Sequence, residues 1–148
     1  MRGERPTRAW WIVVLAGALL TSCSSSAEAF PPAPTVVSVS MTEYRYRFVP
    51  PSEAGRIVFD VRNDGRLDHE LVLIVLPEGV ASIDEQLRSK KRRVVPTVAE
   101  LAPRRPGQRG TFAVDLTPGR YAMVCFVQDP DGSQHATKGM NADFRIGG

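Results

Sequence analysis

Apolar and polar residues alternate with a period of two along most of this chain, and almost nowhere with the 3.6-residue period of a helix. Val37, Val39 and Met41 alternate with Val36, Ser38 and Ser40, and Tyr44, Tyr46 and Phe48 with Arg45 and Arg47. Ile57, Phe59 and Val61 alternate with Arg56, Val58, Asp60 and Arg62. Phe112, Val114 and Leu116 alternate with Thr111 and Asp115, and Ala142, Phe144 and Ile146 with Asp143 and Arg145. Each run predicts a half-buried antiparallel strand with its apolar face inward. Glu70 to Leu76 (ELVLIVL) and Tyr121 to Val127 (YAMVCFV) are apolar on both faces and predict central strands.

Turn chemistry separates the runs: Pro50-Pro51 and Gly55, Asn63-Asp64-Gly65, Pro77-Glu78-Gly79, Pro118-Gly119 and Asp129-Pro130-Asp131-Gly132. About seven short strands so punctuated predict an all-β Greek-key sandwich. One interruption is helical. Ser82-Ile83-Asp84-Glu85 fits a capping box, Ile83 and Leu87 share a face, and Lys90-Lys91-Arg92-Arg93 suits the carboxyl end of a helix dipole. Thr97 to Leu101 is expected to add another helical turn. Val80 to Gly110 then forms a long crossover holding the short helix.

The N-terminus reads as an export signal. Arg2, Arg5 and Arg8 precede an apolar run, Ala9 to Leu20, whose length of about 12 residues falls short of the roughly 20 that a membrane span needs. Leu20-Thr21-Ser22-Cys23 resembles a bacterial lipobox, which implies cleavage after residue 22 and acylation of Cys23, as with palmitate. Ser24 to Pro34 (SSSAEAFPPAP) is a Ser/Ala/Pro tether. The folded domain is thus expected over residues 35–148. That length supports one core without staples.

Removing Arg2, Glu4, Arg5 and Arg8 leaves 16 basic and 15 acidic residues, so the nearly neutral domain has no charge field suited to nucleic acid. The basic stretches Lys90 to Arg93 and Arg104-Arg105…Arg109 read first as solvated loop charge. Their functional alternative is docking to an acidic redox partner or to anionic lipid. No nucleophile–histidine–acid triad or phosphate-binding loop is present, and Asp60, Asp64, Asp68 and Glu70 form no persuasive acid/base pair.

Acylation of Cys23 would leave Cys125 as the only thiol, and a lone thiol in an oxidising compartment calls for a reason. The chain has two histidines, His69 and His135, and Met140 lies shortly after the second. Taken singly, each has an ordinary structural role: a buried cysteine packs as a small hydrophobe and a methionine fills core. Together they place one histidine before a buried strand, the cysteine at the end of another, and the second histidine and methionine on the loop that follows. Two imidazoles, a thiolate and a thioether form a donor set suited to one copper ion of type 1 character, with a trigonal plane and a long axial bond. Zinc has no need of the methionine, and hard cations avoid the set.

The order and context of these residues resemble the cupredoxin family. Tyr46 to Pro50 (YRFVP), Gly55 to Val61 (GRIVFDV) and Asn63-Asp64-Gly65 leading to His69-Glu70-Leu71 look like its N-terminal half. Pro118-Gly119-Arg120-Tyr121 into Cys125, then His135 and Met140, look like its C-terminal half. The resemblance implies His69, Cys125, His135 and Met140 as metal ligands, copper as cofactor and one-electron transfer as function, with no open coordination position and hence no enzyme activity. It departs from the family in two places. The spacing from Cys125 to His135 is C-x9-H where a few residues are usual, and the excess, Val127 to Gln134, is expected to bulge outward. Glu70 stands where many members carry Asn, and its side chain is expected either to accept hydrogen bonds that tie the ligand segments together or to add a negative charge near the metal. The expected protein is a lipid-anchored monomer outside the cytoplasm, exchanging electrons with a protein partner. Two readings stay open beside it: copper binding and delivery without electron transfer, or a metal-free interaction module of the same fold.

Overall fold

A computed structural model describes residues 32–147 of the chain except 90 and 91. The expected signal peptide, Cys23 and most of the tether lie outside the described residues. Among the described residues, no helix is long and apolar enough to cross a membrane.

Among the described residues, eight strands form two four-stranded sheets. The first contains β1 (Thr35–Thr42), β2 (Arg45–Arg47), β3 (Gly55–Asn63) and β6 (Arg109–Leu116), in the order β2-β1-β3-β6. The second contains β4 (His69–Val75), β5 (Thr97–Arg104), β7 (Gly119–Val124) and β8 (Asn141–Ile146), in the order β5-β4-β7-β8. The all-β sandwich expected from the period-two pattern is therefore the observed fold. Its core is the space between the sheets. Val37, Val39, Met41, Ile57, Phe59 and Val61 fill it from one side, and Leu71, Leu73, Tyr121, Met123, Phe144 and Ile146 from the other.

The two segments that read as apolar on both faces have two apolar jobs. The inward residues of β4 and β7 line the sandwich, while Val72, Ile74, Ala122 and Val124 pack outward against Leu76, Val80 and Ile83. Ile83 belongs to α1 (Ile83–Arg88), which lies over this outer face. The helix starts as its capping box predicts, with Ser82 Oγ accepting from Glu85 N at 3.2 Å. It ends sooner than expected. Ser89 is extended and its N–H caps the carbonyls of Glu85 and Gln86, so Arg92 and Arg93 lie beyond the last turn.

Two further expectations are corrected. β1 and β3 pair in parallel, with Thr35 opposite Ile57 and Met41 opposite Asn63. Side-chain alternation is the same for either direction, and β2 lies on the other edge of β1, so the chain returns to β3 without a hairpin. Thr97 to Leu101 is strand, not helix. It opens β5, an edge strand paired with β4, where Pro103 can sit without a ladder donor. The β4–β5 register shifts between His69 and Leu71, and such irregularities re-aim neighbouring side chains.

Candidate metal centre

Strand register brings His69 and Cys125 to one end of the sandwich. β4 and β7 are antiparallel with Val72 opposite Val124, so the start of β4 meets the end of β7. Leu71, Leu73, Tyr121 and Met123 face the core, and alternation turns His69 and Cys125 to the same side. After Cys125 the chain loops out and returns as a single 3-10 turn, His135–Lys138, which presents His135 to the pair.

The donor atoms of His69, Cys125 and His135 all lie within 4.8 Å of one another. His69 Nδ1 is 3.1 Å from His135 Nδ1, and Cys125 Sγ is 3.5 Å from the same nitrogen. All three side chains are buried, His135 at 1% exposure and the others at 0%. Met140 is also fully buried, in the same core cluster as Cys125. Its backbone joins the other segments: Cys125 N donates to Met140 O at 3.2 Å, and Met140 N to His135 O at 3.0 Å. Ala136 N donates to Cys125 O at 2.8 Å and His135 N to Val127 O at 2.9 Å.

Glu70 does what its position suggested. Its Oε1 accepts from Phe126 N at 2.7 Å, joining the segment after His69 to the segment after Cys125. Tyr46 Oη donates to the Glu70 carbonyl at 2.6 Å, tying the first sheet to the same point.

Carboxylates stand behind both imidazoles, and sequence reasoning found neither of them. His69 Nε2 is 3.6 Å from Glu43 Oε1, beyond hydrogen-bond reach, and has no other partner among the described residues. Burial pushes the Glu43 carboxyl up, but N–H donors from Arg66, Glu43 itself and Leu67 outweigh it and hold the group at about 2. His135 Nε2 lies 3.3 Å from Asp129 Oδ1. Asp129 also accepts from Lys138 Nζ at 2.5 Å and from Tyr44 Oη at 2.6 Å, which holds its carboxyl at about 2. Asp129 had read as turn punctuation, and Glu43 carried no local signal at all.

The loop between Cys125 and His135 bulges as expected, but only in part. Gln128 and Gln134 form an antiparallel bridge, and Asp129 N bonds Ser133 O at 2.9 Å around a tip containing the exposed Asp131. The Asp129 side chain turns inward at 9% exposure. Asn63, fully buried, fixes the other approach: its Nδ2 donates to Leu67 O at 2.7 Å and to Arg104 O at 2.6 Å.

Burial sets the protonation of the donors. It pushes the Cys125 thiol up to about 11, against the downward pull of Glu70 and Val127 backbone N–H groups. It lowers His69, and the neighbouring His135 lowers it further. The Cys125 thiol is therefore protonated near pH 7, and the His69 imidazole is biased toward its neutral form. Asp129 favours Nε2 as the protonated nitrogen of His135, which turns that ring's Nδ1 lone pair toward His69 Nδ1 and the sulfur. A soft cation between them would take a lone pair from each, at the cost of displacing the thiol proton. The residues fit a soft metal ion.

No family model matches this chain, and no curated protein matches it. Several solved structures do. The dithionite-reduced auracyanin of the photosynthetic bacterium Roseiflexus castenholzii is 20% identical, with a TM-score of 0.54, covering 79% of this chain and 100% of that one. Auracyanin B is 16% identical, with a TM-score of 0.56 over 82% of this chain and 96% of its own. Auracyanin A, described as a "blue" copper protein from Chloroflexus aurantiacus, is 15% identical, with a TM-score of 0.52 over 77% and 99%. The chain has the cupredoxin fold. Within that fold, His69, Cys125 and His135 converge at one end of the sandwich, with Met140 on the loop joining the last two strands.

Proposed function

We propose that this chain is an exported, lipid-anchored protein that holds one copper ion and passes single electrons to a protein partner. The observation that carries the reading is the convergence of one nitrogen from each of His69 and His135 and the Cys125 sulfur within 4.8 Å of one another, on three buried side chains. His69, Cys125, His135 and Met140 would hold the ion. Copper bound there supplies a one-electron couple, because thiolate and thioether suit its lower oxidation state and imidazole suits both.

The chain's own residues do the rest. Glu70, Tyr46 and the backbone bonds among Cys125, His135 and Met140 hold the donors in place, so little needs to move when one electron enters or leaves. Burial of the donors excludes water and leaves no place for a substrate, which argues against an enzyme. The same burial favours a carrier over a delivery protein, since exchange needs an accessible ion. Export and acylation at Cys23 rest on Arg2 to Cys23 alone.

Copper titration of the chain without its signal and lipid tests the reading. A strong visible thiolate-to-copper absorption that survives chelator supports the carrier. Cu(I) binding with easy release and no such band would mean delivery, and no binding at all would mean an interaction module. Cys125→Ser should abolish the band while the β-sheet circular dichroism is kept, and an undiminished band would reject the assignment.

A further inference from the structure

We propose that the residues inserted between Cys125 and His135 give His135 an orienting carboxylate of its own, Asp129, clamped by Tyr44 and Lys138. The proposal rests on the copper reading for its purpose, but its geometry is independent of any ion. Asp129 Oδ1 lies 3.3 Å from His135 Nε2, the nitrogen that faces away from Cys125. Its other oxygen accepts from Tyr44 Oη at 2.6 Å and from Lys138 Nζ at 2.5 Å. The Tyr44 ring meets the imidazole edge-on, with centroids 5.0 Å apart and planes at 72°. Lys138 Nζ lies 5.2 Å from the centre of that Tyr44 ring, which closes the cluster.

A direct turn of a few residues from cysteine to histidine has no chain with which to cover the far side of the imidazole. Here Val127 to Gln134 folds back on itself through the Gln128–Gln134 bridge and the Asp129–Ser133 turn, and that fold delivers the carboxylate. A ring whose Nε2–H is held by a carboxylate has its tautomer and its plane fixed, and its Nδ1 lone pair is presented inward. Asp129 is a positioning residue. It sets which nitrogen of His135 binds and slows the ring's departure from the ion.

Nitrogen-15 NMR of the metal-free chain tests the geometry first. The expected result is a slowly exchanging Nε2 proton on His135, and a proton on Nδ1, or an Nε2 proton in fast exchange, overturns the proposal without any variant. Asp129→Ala should lose that protected proton. In the copper-loaded chain it should speed Cu(I) release to a chelator by about 10- to 100-fold. Asp131→Ala is the control, because Asp131 shapes the same turn through Ser133 and reaches Lys138 only at 3.4 Å, without touching His135. It should leave both the proton and the release rate near wild type, and equal effects from the two variants would reduce Asp129 to loop structure and overturn the proposal. If the wild-type chain binds no copper, the functional reading fails, while the protected proton still decides the role of Asp129.

Discussion

Gly65→Ala tests whether the site extends past its ligands. Gly65 has no positive φ, so alanine suits its backbone. In open space the substitution would stabilise the chain by about 0.4–1 kcal/mol through the unfolded state. The space is not open. A Cβ at Gly65 would lie 2.7 Å from Glu43 Oε1, 2.9 Å from His69 Nε2 and 3.2 Å from Asn63 Oδ1. None of the three can yield freely. Moving Glu43 breaks its acceptance of the Arg66 and Leu67 N–H groups, His69 is fully buried, and Asn63 holds the loop through Leu67 and Arg104.

Crowding of this kind costs about 1–3 kcal/mol. Subtracting the gain from the unfolded state leaves a net loss of about 0–2.6 kcal/mol, centred on about 1 kcal/mol. For a domain of this size that lowers the melting temperature by roughly 4–8 °C. Thermal melts of the metal-free chain measure it, and the copper-loaded spectrum should shift because His69 is displaced toward the ligand sphere. A melting temperature at or above wild type, with an unchanged spectrum, would show that the Glu43–Gly65–His69 packing does not constrain the site.

Three other outcomes follow from the same geometry. Tyr46→Phe removes the 2.6 Å bond to the Glu70 carbonyl inside the core, and urea unfolding should show a loss of about 1–3 kcal/mol; no loss would mean the carbonyl finds another donor. Glu43 sits at about 2 against an ordinary 4.5, so its contribution is complete above pH 4.5 and is lost as pH falls toward 2. Glu43→Gln should therefore flatten the acid side of the melting-temperature profile in that window, and an equally steep profile would remove Glu43 from the account. Stripping copper with a chelator should leave far-ultraviolet circular dichroism unchanged and lower only the melting temperature, by the mass-action term; an unfolded metal-free chain would contradict this.

The legible part of the fold was the part written in alternation. Ile57, Phe59 and Val61 showed their inward face by period alone, and Glu70 to Leu76 showed through its unbroken apolar run that both faces were covered. Direction of pairing is not written in alternation, so the parallel match of β1 with β3 went unseen. β5 was misread for a different reason: it is an edge strand with Leu101 as its only fully buried residue, so it shows no clear period. In the site, His69, Cys125 and His135 stood out because the chain has so few such residues and they fall at strand ends. Glu43 and Asp129 did not, since a carboxylate acquires its role only when tertiary structure brings an imidazole nitrogen to it.

The arrangement also explains how a long connection between Cys125 and His135 can serve a compact site. A nine-residue gap would ordinarily leave the second histidine loosely held, and the ion would have to order it at the cost of loop entropy. Here the chain's own hydrogen bonds hold the loop. Gln128 and Gln134 close its neck, Val127 accepts from His135, Cys125 accepts from Ala136, and Met140 accepts from Cys125. Those bonds make the ligand segments part of the sheet rather than a flap attached to it. The binding energy of an ion would then act against the thiol proton instead of being consumed in ordering the loop. A cage built this way would resist rearrangement in either oxidation state of a bound copper ion, as the proposed single-electron role requires.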